Sequence, residues 1–370
     1  MKFSPKHMLS LALVLALILT ILPTAGNAES RPNADTRAGC TANCHTNNAA
    51  FLNADWFNGN IALSDQQIAD YVNKLKQYKI KYQFVDVGVL IDSNTASNGS
   101  LPAAGYSKLA NWIKVSRQTD PNQLIIPALN YGSRAPRVNG VKTPNPNFGT
   151  QTFKANLNAA ANKLVNTGLQ INGSGTFYKA DGIHLDIEGF ISNDTVLLGT
   201  LQYLRDNALA SNTNFSQSTP ADFGSSPVWS NAFIAQVGAI LNQVQPMIYD
   251  QMGWGSPIVD AASYQALWTQ EVKRYSTALD GTSSKLMPTM PAYEKKTAED
   301  GTVYHDPAVE SLYNAAKGLQ AAIASPGGAN VHGASIFWWS HFAGYHPTVY
   351  APALYQADQS NWLNEWVNHP

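Results

Sequence analysis

Downstream of residue 50 the chain alternates short apolar runs with longer stretches whose apolar residues recur every three or four positions. The first pattern belongs to buried strands, the second to helices with one apolar face. A first strand is predicted over Ala50–Trp56, and Ser64 caps a helix to Gln77 that aligns Ile68, Tyr71, Val72 and Leu75. Strand two covers Tyr82–Ile91, with a helix over Tyr106–Ser116. Strand three covers Gln123–Asn130, and its helix, Thr152–Thr167, is ended by Gly168. Strand four lies within Phe177–Phe190, backed by a helix over Thr195–Leu209. Later strands are predicted over Asn214–Thr219, Gln243–Asp250, Lys285–Tyr293 and Val331–Ser340. Their helices cover Ser230–Leu241, Ala261–Thr277, Pro307–Ala324 and Asn361–Val367.

Strand–helix units repeated about eight times give the order and length of a single (β/α)8 TIM barrel, an α/β fold, over residues 50–370. No glycine-rich phosphate-binding turn follows an early strand, which argues against a doubly wound sheet. No Pro- or Ser-rich linker divides the chain, which argues against two domains.

Strand four carries the most chemistry. Residues 181–188 read Asp-Gly-Ile-His-Leu-Asp-Ile-Glu. Side chains of a strand alternate between faces, so Ile183, Leu185 and Ile187 share one face and His184, Asp186 and Glu188 the other. The first face suits burial under helices. Three ionisable groups in a row on the second do not suit a core unless they pair or do chemistry. A buried ion-pair network around His184 is the plain alternative.

Composition changes the picture in two places. The 24 Lys and Arg against 25 Asp and Glu leave no bulk charge to attract nucleic acid or an anionic membrane. Residues 1–28 read as a secretory signal peptide: Lys2 and Lys6 precede the apolar run Leu11–Leu22, and Gly26 and Ala28 stand before Glu29. A secreted protein, outside the membrane once the signal is cleaved, is therefore expected. Residues 29–49 form an N-terminal segment containing both cysteines, Cys40 and Cys44. In an oxidising compartment these form a local disulfide. Their spacing exceeds that of a haem-attachment motif by one residue, and with His45 they are too few to close a structural zinc site.

In a TIM barrel the catalytic groups stand at the C-terminal strand ends. Here those ends carry Asn130–Tyr131, Asp186 and Glu188, Tyr249–Asp250, Tyr293–Glu294 and Phe337–Ser340. Carboxylates ringed by Tyr and Trp suit a sugar, whose faces stack on aromatic rings.

With these motifs in hand, the chain resembles the family-18 glycoside hydrolases, the chitinases and endo-β-N-acetylglucosaminidases. That family carries Asp-x-x-Asp-x-Asp-x-Glu on strand four, Met-x-Tyr-Asp on strand six and a Trp at the end of strand eight. The counterparts here are Asp181 to Glu188, Met247-Ile-Tyr249-Asp250, and Trp338 or Trp339. The resemblance implies Glu188 as general acid and then base, and Asp186 as the group that orients the substrate's 2-acetamido group. Tyr249 would bond that group, Asp250 would hold the distorted sugar, and Trp338 or Trp339 would floor the site. Met247, Tyr131 and His184 complete the expected sugar contacts, with Asp181 structural. This is substrate-assisted retention, without an enzyme nucleophile. His184 stands where the family has its second Asp. A neutral imidazole there would keep a hydrogen bond to Asp186, and a cationic one would hold Asp186 ionised.

The implied substrate is a β-linked glycan of N-acetylated amino sugars: chitin, an N-glycan core or peptidoglycan. No metal, cofactor or nucleic acid is implied, and a monomer is expected. Three other readings remain open at this level. A two-carboxylate retaining glycosidase would use Glu188 with Glu294 as nucleophile, on sugars lacking the acetamido group. A metal-dependent hydrolase would use His184 and Asp186 with His341 or His346. A non-catalytic sugar-binding protein would keep the barrel and lose turnover.

Overall fold

The computed structural model describes residues 40, 43–52, 62–90, 99–100, 105–131, 134–135, 137–138, 141–210, 213–221, 227–253, 255–325, 329–346 and 348–369. The signal-peptide reading on residues 1–28 lies outside them. Eight parallel strands form the barrel: β1 (Asn48–Leu52), β2 (Ile80–Val89), β3 (Leu124–Tyr131) and β4 (Gly182–Ile187). β5 (Asn214–Pro220), β6 (Gln243–Met247), β7 (Thr289–Pro291) and β8 (Ser335–Phe337) complete it. Each pairs with the next, and β8 returns to β1 through Ala49↔Ser335 and Ala50↔Ile336, so the sheet closes. Closure removes the exposed sheet edge.

Helices lie outside this wall: α1 (Asp65–Gln77), α2 (Tyr106–Thr119), α3 (Gln151–Asn162), α4 (Thr195–Asn207) and α5 (Asn231–Ile240). α6 (Ala261–Ala278), α7 (Leu312–Ala324) and α8 (Pro352–Asn361) follow. Their starts follow from local chemistry. Ser64 and Gln67 form a capping box on α1, and Thr150, Asp194, Ser230, Asp260 and Ser311 cap five others through their side chains. The apolar face expected for α1 is buried, with Ile68, Tyr71, Val72 and Leu75 packed inward.

Two cores result. The larger fills the space between barrel and helices and takes Ile183, Leu185 and Ile187 from β4. The smaller fills the barrel itself, with Ala49, Phe51, Tyr82, Phe84, Ile126, Ala128 and Met287, against Phe337 and Trp338. The alternation along β4 thus sends its aliphatic residues toward the helices and its ionisable ones into the barrel.

Several boundaries differ from the expectation. Phe177–Tyr178 pairs antiparallel with Leu169–Gln170, so the barrel strand begins only at Gly182. Gly182 itself permits close packing, since a Cβ there would lie 2.0 Å from the Asn214 carbonyl oxygen. The first strand starts at Asn48, inside the segment assigned to 29–49. Val303–His305 pairs with Lys296–Thr297 in a small hairpin, and the helix expected from Pro307 begins at Leu312, after the Ser311 cap. The closing helix starts at Pro352, a residue whose fixed φ suits a first helical turn. Cys40 and Cys44 are joined by a disulfide, and Cys44 is buried in the larger core.

Candidate active site

Glu188 follows the last residue of β4, and its backbone N–H donates to the Tyr131 carbonyl at 3.0 Å. The next residue, Gly189, has φ 76°, and a Cβ there would come 2.8 Å from the Ala135 nitrogen. Only glycine accepts both the left-handed backbone and that approach. Ala135 is held in turn by Arg134, whose guanidinium makes a buried two-point ion pair with Asp194 at 2.6 and 2.9 Å. Asp194 also caps α4. The loop after β3 and the start of α4 thereby fix the turn that presents Glu188.

The cleft in front of Glu188 has a volume of about 270 Å³, lined by Glu188 to Phe190, Pro220, Ala221, Met247 and Tyr249 to Gln251. Glu188 is exposed to this cleft, but protein displaces most of the water around it. That burial, and then the charge of Asp250, push its carboxyl above the usual range. Asp250 is itself raised, by burial first, although the hydroxyl of Tyr293 donates to it at 2.5 Å. Tyr249 lines the same cleft, 7% exposed, its ring stacked 5.2 Å from Phe337. Burial and the charges of Asp186, Asp250 and Glu188 push the Tyr249 phenol far up, so it remains a hydrogen-bond donor.

Asp186 sits one step deeper in the barrel. Burial, the charge of Glu188 and that of Asp86 raise its pKa to about 7, against the lowering effect of a hydrogen bond from Ser218. Its Oδ1 is buried and has no hydrogen-bond partner. Below it His184 is fully buried, and burial lowers its pKa to about 3. The imidazole is therefore neutral, and its two nitrogens are both engaged: Nδ1 with Ser216 Oγ and Nε2 with Ser218 Oγ, each at 2.9 Å. With Asp186 ionised, Ser218 donates to it, its oxygen accepts from His184 Nε2–H, and Nδ1 accepts from Ser216. Of the two states considered for His184, the geometry selects the neutral one. It reaches Asp186 through Ser218 rather than directly.

The other expected residues divide between the barrel side and the helix side. Met247 lines the cleft, and Trp338 packs against the barrel interior beside Phe337. Trp339, by contrast, is fully buried against Phe342, Tyr71 and Tyr78 on the helix side. Tyr131, expected at the sugar, packs against Phe148 and Phe153 in the outer core. The cause is register: Asn130 pairs with Asp186 and shares its inward face, so its neighbour points out. Asp181 lies at the opposite end of β4, where it accepts from the Ile125 N–H at 2.8 Å and pairs with Arg117 at 3.0 Å.

Glu294 is not among the residues lining the cleft. Burial pulls its carboxyl up, but Lys296 and His341 outweigh this and leave it below the usual range. It bonds the Lys296 ammonium and lies 3.5 Å from His341 Nε2. Among the described residues, groups with metal-ligand spacing are Cys40–Cys44–His45, whose thiols form the disulfide, and Asp250–His305–Glu310. His184 and Asp186 are not grouped with His341 or His346. Four residues of the site were missed in the sequence: Ser216 and Ser218, on the neighbouring strand, and His305 and Glu310, behind Asp250. The only signal for the serines was their spacing of two on a predicted strand.

No protein-family model matches the chain, and no curated protein matches it either. Solved structures match it in fold. A class V chitinase from Pseudomonas fluorescens Pf-5 has a TM-score of 0.51 at 14% identity, covering 86% of this chain and 100% of that one. The fold is shared. The Bacillus cereus spore cortex-lytic enzyme SleL has a TM-score of 0.50 at 11% identity, covering 87% of this chain and 74% of that one. A mutant class V chitinase from Nicotiana tobaccum in complex with NAG4 has a TM-score of 0.50 at 10% identity, covering 85% of this chain and 98% of that one.

Proposed function

We propose that the protein is a secreted family-18-type glycoside hydrolase that cleaves β-linkages at N-acetylated amino sugars by substrate-assisted retention. The observation that carries this reading is the grouping of Asp186, Glu188 and Asp250 around the Tyr249 phenol at the C-terminal mouth of a (β/α)8 barrel. Chitinases and a cortex-lytic enzyme share the fold, one of them in complex with NAG4, which favours a glycan of N-acetylated sugars.

The protons follow from the electrostatics. Asp186 and Glu188 stand two residues apart on one strand face, and the charge of one opposes the ionisation of the other. Near neutral pH the pair shares one proton. An acetamido N–H donating to the unpartnered Asp186 Oδ1 stabilises its carboxylate and leaves the proton to Glu188. Glu188 then protonates the glycosidic oxygen while the acetamido oxygen attacks the anomeric carbon. The C–O bond breaks, an oxazolinium forms, and its charge faces Asp186. Water, deprotonated by Glu188, reopens the ring with the original stereochemistry. His184, being neutral, orients Asp186 through Ser218 and stores no proton.

The test is hydrolysis of aryl chitobioside, aryl chitotrioside, aryl cellobioside and a mannose-rich N-glycopeptide by wild type and Glu188→Gln. Cleavage of the N-acetylated substrates alone, lost in the variant with sugar binding retained, is expected. Cleavage of the cellobioside would move the assignment to a two-carboxylate glycosidase, and turnover by Glu188→Gln would falsify the role of Glu188.

A further inference from the structure

Asp250 is held in an unusual way. Its φ is 57°, in the left-handed region that residues with a Cβ seldom occupy. The cause lies behind it, outside the cleft. The fully buried carboxylate of Glu310 accepts the Asp250 N–H at 3.1 Å through Oε2 and the Gln251 N–H at 2.8 Å through Oε1. The same Oε2 lies 2.7 Å from Nδ1 of His305, which is also fully buried. A carboxylate only accepts, so His305 donates from Nδ1. The His305 ring stacks on Tyr293 at 4.0 Å with planes 21° apart, and the Tyr293 hydroxyl donates to Asp250 Oδ1. Asp250 is thus fixed twice, its backbone by Glu310 and its carboxylate by a tyrosine that rests on His305. The same three groups have metal-ligand spacing, but both Glu310 oxygens already accept from backbone N–H groups.

We propose that Glu310 and His305 are positioning residues for Asp250, holding its carboxylate at the cleft where it faces Glu188. This rests on the function proposed above. Without the Glu310 carboxylate, two backbone N–H groups lose their acceptor, and only the Tyr293 hydroxyl then holds Asp250 against relaxation to a right-handed or extended backbone. The groups facing Asp250 are Glu188 at the end of β4, Tyr249 on its own segment, Tyr264 on α6, Tyr293 beyond β7, His305 on the small hairpin, Glu310 before α7, and Lys296. Of these, Glu188 is the acid of the proposed reaction, and Asp250 helps it keep its proton.

The experiment compares Glu310→Gln, His305→Gln and Asp250→Asn, singly and as the two double variants with Asp250→Asn, in the whole protein. kcat and KM are measured on aryl chitobioside across pH. Glu310→Gln is expected to lower kcat about 10- to 100-fold and to move the basic limb of kcat to lower pH. That limb reports the acid in the bound complex, and Asp250→Asn should move it in the same direction. Adding Glu310→Gln to Asp250→Asn should cost little more, because both act through one carboxylate. Wild-type kcat and pH profile in folded Glu310→Gln, or additive losses in the double variant, would overturn the proposal. If Glu310→Gln does not fold, His305→Gln decides by the same criteria. Failure of the functional reading has another signature, since turnover would then survive Glu188→Gln and Asp250→Asn alike.

Discussion

Ser218→Ala tests the electrostatics of the site most directly. The substitution removes the hydroxyl that bonds the Asp186 carboxylate and accepts from His184 Nε2. A hydrogen bond to a charged group contributes about 1.5–3 kcal/mol, and about 1.4 kcal/mol corresponds to one pH unit. Asp186, already raised to about 7, should therefore hold its proton about one to two pH units higher. The sign is as follows. The active form has one proton on the Asp186–Glu188 pair, and it disappears when pH rises past the point where that proton leaves. The basic limb of kcat/KM, which reports the free protein, should lie near pH 7 in wild type, set by Asp186. It should move in the alkaline direction in Ser218→Ala. The plateau should fall about 10- to 100-fold, because the arrangement with Asp186 ionised and Glu188 protonated becomes rarer by the same factor. The variant also strands the buried His184 N–H, at a cost of about 1–3 kcal/mol in unfolding free energy. The assay is kcat/KM on aryl chitobioside from pH 4 to 10, with circular dichroism to check folding. A basic limb that stays in place, or moves toward acid, in a folded variant would show that Ser218 does not stabilise ionised Asp186.

Other substitutions separate residues that stand side by side in the sequence. Trp338→Ala should raise KM for N-acetylated oligosaccharides with little loss of stability, whereas Trp339→Ala, in the outer core, should cost about 3–5 kcal/mol in chemical denaturation and leave KM unchanged in the folded fraction. Glu294→Gln should retain turnover, since that carboxylate is taken up by Lys296 and His341; its loss, with azide rescue, would revive the two-carboxylate mechanism. Arg134→Met leaves the Asp194 carboxylate buried without its partner, and denaturation should show a loss of about 3–5 kcal/mol.

The barrel was legible because its units repeat one local rule. Each apolar run is long enough for one buried strand, and each following stretch carries an apolar face, as α1 does with Ile68, Tyr71, Val72 and Leu75. The errors arose where a boundary depends on a partner far away in the chain. Phe177 and Tyr178 are as strand-like as Ile183, yet they pair back on Leu169–Gln170 in a hairpin of their own. Tyr131 stands outside the site for another reason. Nearness to a strand end does not set orientation, whereas parity along the strand does. Asn130 shares a face with Asp186, so Tyr131 cannot.

Parity also marks where local reading stops. It put His184, Asp186 and Glu188 on one inward face, but it could not give their charge states. Those depend on what the adjoining strands bring opposite them. His184 pairs in register with Ser216, and Ser218 follows two residues on along the same face of β5. Two hydroxyls can satisfy a neutral ring, but neither supplies the negative charge that would keep a buried imidazolium. Had β5 carried a carboxylate at either position, the same β4 sequence would hold a cationic His184, and Asp186 would ionise well below 7. The chemistry proposed for this octapeptide is therefore set jointly by β4 and β5. A variant Ser216→Asp should raise the His184 pKa from about 3 and draw the pH optimum toward acid. Unchanged 15N chemical shifts of the His184 ring through the accessible pH range of the folded variant would refute that coupling.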